Sequence, residues 1–200
     1  KLRDAARVAG GTVNDAFVAG IAEGLNLYHA RHGAPVEALR MTMPINVREG
    51  ETSNKAGNQF VPARFEVPLV HRDPVERMRR IESVKRQRSE PALPLIDEIS
   101  GFLNRFPAPV SAQIFGTMLK GVDFVTSNVP GPPIDVYASG GRIDEIFGFG
   151  PLTGAAANIT LFSYRGSCGI GVTTDPVAVP DPEVFRACLQ AGLDQVVAVA

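Results

Sequence analysis

Only two of the 200 residues are cysteine and three are histidine, and each scarcity closes off chemistry. Cys168 and Cys188 form no C-x-x-C and no Cys/His ligand cluster, so no zinc site or dithiol centre is expected. They read as reduced, partly buried thiols of a cytosolic protein. His29 and His32 fall at a helix end, where the helix dipole favours a cation, and His71 falls in a strand-to-helix loop. None stands near a serine or cysteine in a nucleophile motif, and H-E-x-x-H, G-x-S-x-G and the phosphate-binding P-loop are missing. With a net charge of −1, no field over the whole molecule draws nucleic acid. No apolar run reaches the roughly 18 residues that span a bilayer. A starting methionine and a signal-peptide pattern are also missing. The opening "KLRDAARVAGG" reads as a charged amphipathic piece running into a helix cap, the interior of a longer chain.

What is present is enough to bury a sizeable core: 44% of the residues are hydrophobic, consistent with one domain or one large lobe of a bigger enzyme. The stretch after Gly11 carries Val13, Phe17, Ile21, Leu25 and Tyr28 at helical spacing, with Thr12 and Asp15 placed as a capping box and Gly33 as the stop. "ALRMTMPINVRE" alternates as a strand with Met41, Met43 and Ile45 on one face, and Pro44 puts it at an edge or a strand end. "NQFVPARFEVPLV" is a second strand, irregular at Pro62. Asp73 caps a helix with Pro74 in its first turn and a narrow stripe of Val75, Met78, Ile81 and Val84. "PLIDEISGFLNRF" and "PVSAQIFGTMLKG" read as two more helices. From Gly121 the character becomes strand-like, in "VDFVTSNV", "IDVYASGGRIDEIFGFGPL", "AANITLFSYRG" and "SCGIGVTTD", with hairpins at Gly140-Gly141 and Arg165-Gly166. A capped helix closes the chain, with Val184, Phe185, Cys188, Leu189 and Leu193 on one face. Strands and helices do not alternate strictly, so the fold class is α+β, a mixed sheet with helices packed on one side.

Few segments could carry chemistry, and each has a plain structural reading beside the functional one. Asn14 and Asp15 stand at a helix start, where capping competes with a place at a pocket. Asn46 and Arg48 end a strand; Arg48 is a surface or ion-paired residue, or its planar fork braces a pocket wall. Gly57 and Asn58 suit a turn before the next strand. In "TSNVPGPP", Val129 before Pro130 is biased to extended geometry and Pro130-Gly131 suits a type II turn. That makes the segment a stiff corner holding Thr126, Ser127 and Asn128 at the end of an apolar strand. The 73–90 helix gathers Arg77, Arg79, Arg80, Lys85, Arg86 and Arg88, with Arg72 just ahead of it. They form either a solvated face or a contact for phosphate or an anionic membrane.

Taken together and in this order, "TVNDAFVAGIAEGL", "MPINVR", "GNQF", "TSNVPGPP" and "NITLFSYRGSCGIGVTTD" followed by "PDPEVF" resemble the C-terminal domain of the bacterial wax ester synthase/diacylglycerol acyltransferase family, from about Thr12 to about Leu193. The resemblance implies a chloramphenicol-acetyltransferase-like lobe, with residues 1–200 as the C-terminal half of a two-lobed enzyme enclosing a tunnel. It implies transfer of a fatty acyl group from acyl-CoA, a substrate rather than a cofactor, to diacylglycerol or a long-chain alcohol. The family's His-His-x-x-x-Asp-Gly base belongs to the N-terminal lobe. This chain has no His-His pair, so it is assigned no catalytic residue, and no metal. The matching residues are supporting: Asn14, Asp15, Asn46, Arg48, Gly57, Asn58, Ser127, Asn128, Pro130 and Gly131. The implied partners are the N-terminal lobe, acyl-CoA and the acceptor lipid; the hydrophobic substrates and the arginine-rich helix add an anionic membrane or lipid-droplet surface as an expectation, with a location that is cytoplasmic or peripheral on the inner membrane or lipid droplets, and the net charge speaks against nucleic acid. Two rivals remain open at this level: a condensation-type acyltransferase using carrier-protein thioesters, and a non-catalytic lipid-binding lobe.

Overall fold

A computed structural model describes residues 1–46, 60–70, 73–89 and 121–200. The sequence positions Arg48, Gly57, Asn58, His71 and Arg72, and the two helices expected between 95 and 120, lie outside the described residues. In chain order the elements are α1 (Leu2–Ala9), α2 (Val13–Arg31), β1 (Ala38–Asn46), β2 (Phe60–Pro68), α3 (Pro74–Ser89), β3 (Phe124–Pro130), β4 (Tyr137–Ala138), β5 (Gly141–Arg142), β6 (Ala157–Tyr164), β7 (Ser167–Thr174) and α4 (Pro182–Val197). Five strands form one sheet in the order β2-β1-β3-β6-β7. The central pairs β1/β3 and β3/β6 are parallel, and the outer pairs β1/β2 and β6/β7 are antiparallel. The mixed α+β sheet expected from the order of elements is therefore present. Pro62 sits on the edge strand β2, where its missing N–H costs no ladder bond.

Strand alternation divides the sheet into two faces. Met41, Met43, Phe65, Val67, Phe124, Ala157, Ile159 and Leu161 point to one face and join a single core with residues of all four described helices. α2 is the centre of that core. Phe17, Val18, Ala19, Ile21 and Ala22 are all fully buried, so the single apolar stripe read from the sequence is too narrow: this helix is enclosed on every side. Its start is as expected. The Asp15 carboxylate accepts from the Thr12 amide at 2.8 Å, and the Thr12 hydroxyl accepts from the Asp15 amide at 3.4 Å.

The seam between α2 and α4 is made by glycines. A β-carbon on Gly192 would stand 2.2 Å from the Gly20 carbonyl oxygen and 2.5 Å from the Gly24 amide nitrogen, and one on Gly24 would stand 2.6 Å from Leu189 Cα. The helix backbones thus touch directly.

Two basic residues of α3 depart from the solvated or lipid-facing stripe. Arg77, 1% exposed, donates to Glu23 of α2 at 2.7 Å. Lys85 reaches the fully buried Asp15 at 2.6 Å. Asp15 therefore caps α2 and also ties α3 to its first turn. Arg79, Arg80 and Arg86 stay exposed. The final helix departs from the simple capped form: the Asp181 carboxylate does not cap α4. It accepts from the Tyr28 hydroxyl and pairs with His32 at 3.1 Å. Burial first, and then Asp181, pushes the Tyr28 phenol up to about 12. Both cysteines are free; Cys188 is buried, while Cys168 is exposed rather than partly buried.

Candidate substrate-facing pocket

On the other face of the sheet, where no described helix packs, the alternation presents Thr42 and Pro44 of β1, Val125, Ser127 and Val129 of β3, and Asn158, Thr160 and Phe162 of β6. These residues and the 148–153 segment line a pocket of about 510 Å³, within the range of small-molecule sites. Its floor opens because β1 and β3 share only two ladder pairs, Met41–Phe124 and Thr42–Val125. Pro44, which has no N–H to offer, follows at once. Beyond that point β3 pairs with β6 alone, up to Pro130–Ser163.

The roof is the 143–153 segment. The sequence suggested strand over 134–152, but only the two-residue β4 and β5 form there, and 143–153 joins no ladder. It lies face-on across β6 and β7 instead. A β-carbon on Gly169 would meet the Ile146 carbonyl oxygen at 2.2 Å, and one on Gly171 would meet that of Gly148 at 2.0 Å. Asn158 pins the segment by donating to the Pro151 carbonyl at 2.8 Å, and the Thr160 hydroxyl donates to Asn158 at 2.9 Å. Tyr164 holds the base of the β4–β5 hairpin, accepting from the Val136 amide and donating to the Ile143 carbonyl. Arg165 pairs with Asp135 at 2.6 Å. The hairpin turns at Ser139-Gly140, both with positive φ, one residue before the expected Gly140-Gly141 junction. The Arg165-Gly166 turn is as expected. Of the lining residues Phe149 is exposed by 70%; Ile134, Tyr137 and Phe147, ahead of it in the chain, are exposed as well.

The Pro-Gly segment corrects the sequence reading. Gly131 does not have the positive φ that a type II turn demands, and no turn or bend falls at 131–132; the chain bends at Pro133-Ile134. Its amide donates to the Ser163 hydroxyl at 3.2 Å, and the Pro132 carbonyl accepts from the Arg165 amide. Glycine is required here by close approach: a β-carbon would meet the Ser163 carbonyl oxygen at 2.2 Å and the Phe162 ring at 2.3 Å. The stretch is a stiff continuation of β3 beside β6.

Of the expected site residues, Ser127 lines the pocket. Asn128 and Pro130 are exposed and, by alternation, belong to the opposite face. Asn14 lies across β1, on the helix side, with its amide nitrogen 3.1 Å from the Met43 sulfur. Asn46 is the last residue of β1, opposite Phe60. Asn14 and Asn128 are not brought into the pocket. Thr42 was missed by sequence reasoning, because an alternating strand gives a threonine no distinguishing mark.

A second cavity, about 590 Å³, lies at the opposite end of the strands, bounded by Leu25, Tyr28, Asp123, Asp175 and Phe185. Its polar groups are already engaged. Asp123 binds Arg40 through both carboxylate oxygens; burial raises its pKa, but those bonds and the Arg40 charge outweigh burial and leave it lowered. Asp175 accepts from the Val177 and Ala178 amides, and Tyr28 binds Asp181.

Among known proteins, a Mycobacterium tuberculosis protein that carries the name of a diacylglycerol O-acyltransferase, Rv2484c, is 39% identical over all of this chain. The chain spans about 40% of the length of that relative. The wax ester synthase/diacylglycerol acyltransferase of Marinobacter aquaeolei VT8 superposes with a TM-score of 0.69 at 21% identity, covering 98% of this chain and 45% of that one. The first condensation domain of the CDA synthetase superposes at 0.52 and 18% identity, covering 98% and 42%. These neighbours share the chloramphenicol-acetyltransferase-like architecture inferred from the sequence. The WS/DGAT C-terminal domain model matches residues 56–196, and the chain belongs to that family.

Proposed function

We propose that this chain is the C-terminal lobe of an O-acyltransferase that moves a fatty acyl group from acyl-CoA to diacylglycerol or a long-chain alcohol. The pocket over β1 and β3 forms one wall of the substrate tunnel. The acceptor oxygen bonds to the thioester carbonyl carbon, the carbon–sulfur bond breaks, and the acceptor proton passes to a base and then to the departing CoA thiolate. The base is a histidine on the remainder of the protein, as the family resemblance implies; among the described residues no histidine lines the pocket. The observation that carries this reading is the apolar pocket on the face without described helices, with the exposed Phe149 in its lining, in a chain that is about 40% of its relatives' length. The rest of the protein covers that face and completes the tunnel.

The test is CoA-thiol release by the full-length chain given a long-chain acyl-CoA and 1,2-diacylglycerol or hexadecanol. Release that depends on the acceptor is expected; no release with either acceptor sinks the reading. The structural likeness to a condensation domain is one of fold, whereas the sequence relatives carry the name of diacylglycerol O-acyltransferases. If loading a phosphopantetheinyl carrier were required instead, the condensation reading would replace this one. For peripheral membrane contact, the exposed Arg79 and Arg86 are the groups to neutralise. The paired change to Gln is expected to weaken co-sedimentation with anionic vesicles, and unchanged sedimentation removes membrane contact from the proposal.

A further inference from the structure

We infer that Thr42 is the residue that selects a glycerolipid acceptor over a simple alcohol, by donating its hydroxyl to an ester carbonyl of the bound lipid. The inference rests on the acyltransferase reading above.

Four side chains bring hydrogen-bonding groups to the pocket floor, from Thr42, Ser127, Asn158 and Thr160. Asn158 and Thr160 are consumed in the bonds that hold the roof. Ser127 is only half-buried and can be served by water. Thr42 is different: it is 2% exposed, and its hydroxyl oxygen is buried with no hydrogen-bond partner among the described residues. Val125 lies beside it across the β1–β3 ladder, Arg64 stands opposite it on β2, and Pro44 follows two residues on. A buried hydroxyl without a partner is a standing cost; its oxygen is closed off from the pocket space, so a ligand removes that cost when its entry turns the Thr42 side chain toward an acceptor. It is also close to the break in the floor, where β1 and β3 stop pairing.

The two acceptor classes differ at this position. Each must present its free hydroxyl to the base on the other lobe. Behind that hydroxyl a long-chain alcohol carries only methylene groups, which fill the apolar pocket and leave Thr42 unpaired. A 1,2-diacylglycerol carries an ester carbonyl within a few bonds of its hydroxyl. With one acyl chain in the pocket, that carbonyl oxygen reaches Thr42. The pocket therefore discriminates through a hydrogen bond that one acceptor completes and the other cannot.

The experiment uses the full-length chain at fixed acyl-CoA and compares kcat/KM for 1,2-diacylglycerol, for the ether-linked 1,2-dialkylglycerol and for a long-chain primary alcohol. The ether lipid has the same free hydroxyl and chains but no carbonyl. Wild-type protein is expected to favour the ester over the ether lipid by about tenfold or more. Thr42→Val, which keeps the shape and removes the hydroxyl, is expected to collapse that preference and lower the diacylglycerol-to-alcohol ratio by a similar factor, and Thr42→Ser is expected to restore both. Equal use of ester and ether lipids by the wild type overturns the inference without any variant, so it stays testable even if Thr42→Val does not fold. An unchanged ratio in folded Thr42→Val overturns it as well. Failure of the wild type to transfer acyl groups to any of the three sinks the acyltransferase reading itself, a separate result.

Discussion

Gly192→Ala is expected to destabilise this lobe by about 2 kcal/mol, although the same change on an exposed helix would stabilise it by about 1 kcal/mol through helix propensity. The opposite sign is what makes the experiment informative. The new methyl group would stand 2.2 Å from the Gly20 carbonyl oxygen and 2.5 Å from the Gly24 amide nitrogen. Both are backbone atoms of a helix buried on all sides, so they cannot swing away as a side chain would. Relief requires α4 to lift from α2, which opens the core at Phe17, Ile21, Leu189 and Leu193. In calorimetry of the full-length chain, a loss of that size lowers the melting temperature of this lobe by roughly 4–8 °C. A melting temperature that holds or rises would mean that α2 and α4 do not meet backbone to backbone.

Arg77→Ala is expected to cost more, about 3–5 kcal/mol. Burial pulls the Arg77 guanidinium below its usual pKa in spite of the Glu23 and Asp73 charges near it, so the pair exists at a desolvation cost that its pairing with Glu23 helps to offset. Removing the arginine leaves the Glu23 carboxylate in the core between α2 and α3 with Gln195 of α4 at 3.4 Å as its remaining donor among the described residues. The double change Glu23→Leu with Arg77→Met, similar in volume and free of charge, is expected to recover most of the loss. A single change costing less than about 1 kcal/mol, the range of exposed ion pairs, would show that Arg77 is solvated.

What could be read in advance was what local chemistry decides. The capping box at Thr12 and Asp15, the apolar spacing of α3 and α4, the edge-strand Pro62 and the Arg165-Gly166 hairpin each rest on residues within a few positions of one another. The misreadings arise where the deciding partner is distant in sequence. Gly20 and Gly24 look like weak points of a helix until Gly192 is set against them. Pro130-Gly131 looks like a turn until the Ser163 carbonyl and the Phe162 ring show why no side chain fits. Residues 143–152 alternate like a strand, yet lie flat over Gly169 and Gly171. Arg77 belongs to an arginine-rich, solvent-facing sequence until Glu23 draws it inward. The candidate site shows the same limit. Ser127 could be picked out from the resemblance, but Thr42 becomes notable only when its hydroxyl is seen to be buried without a partner.

The central claim is that lipid substrate runs across the sheet face opposite the α2–α4 core. It is tested most directly by photolabelling the full-length chain with a diacylglycerol bearing a diazirine on one acyl chain, followed by peptide mapping. Labels competed away by unlabelled diacylglycerol and concentrated at 42–44, 125–129 and 148–153 are the expected result. Competed labels falling only on other segments, with these three clean, would contradict the account.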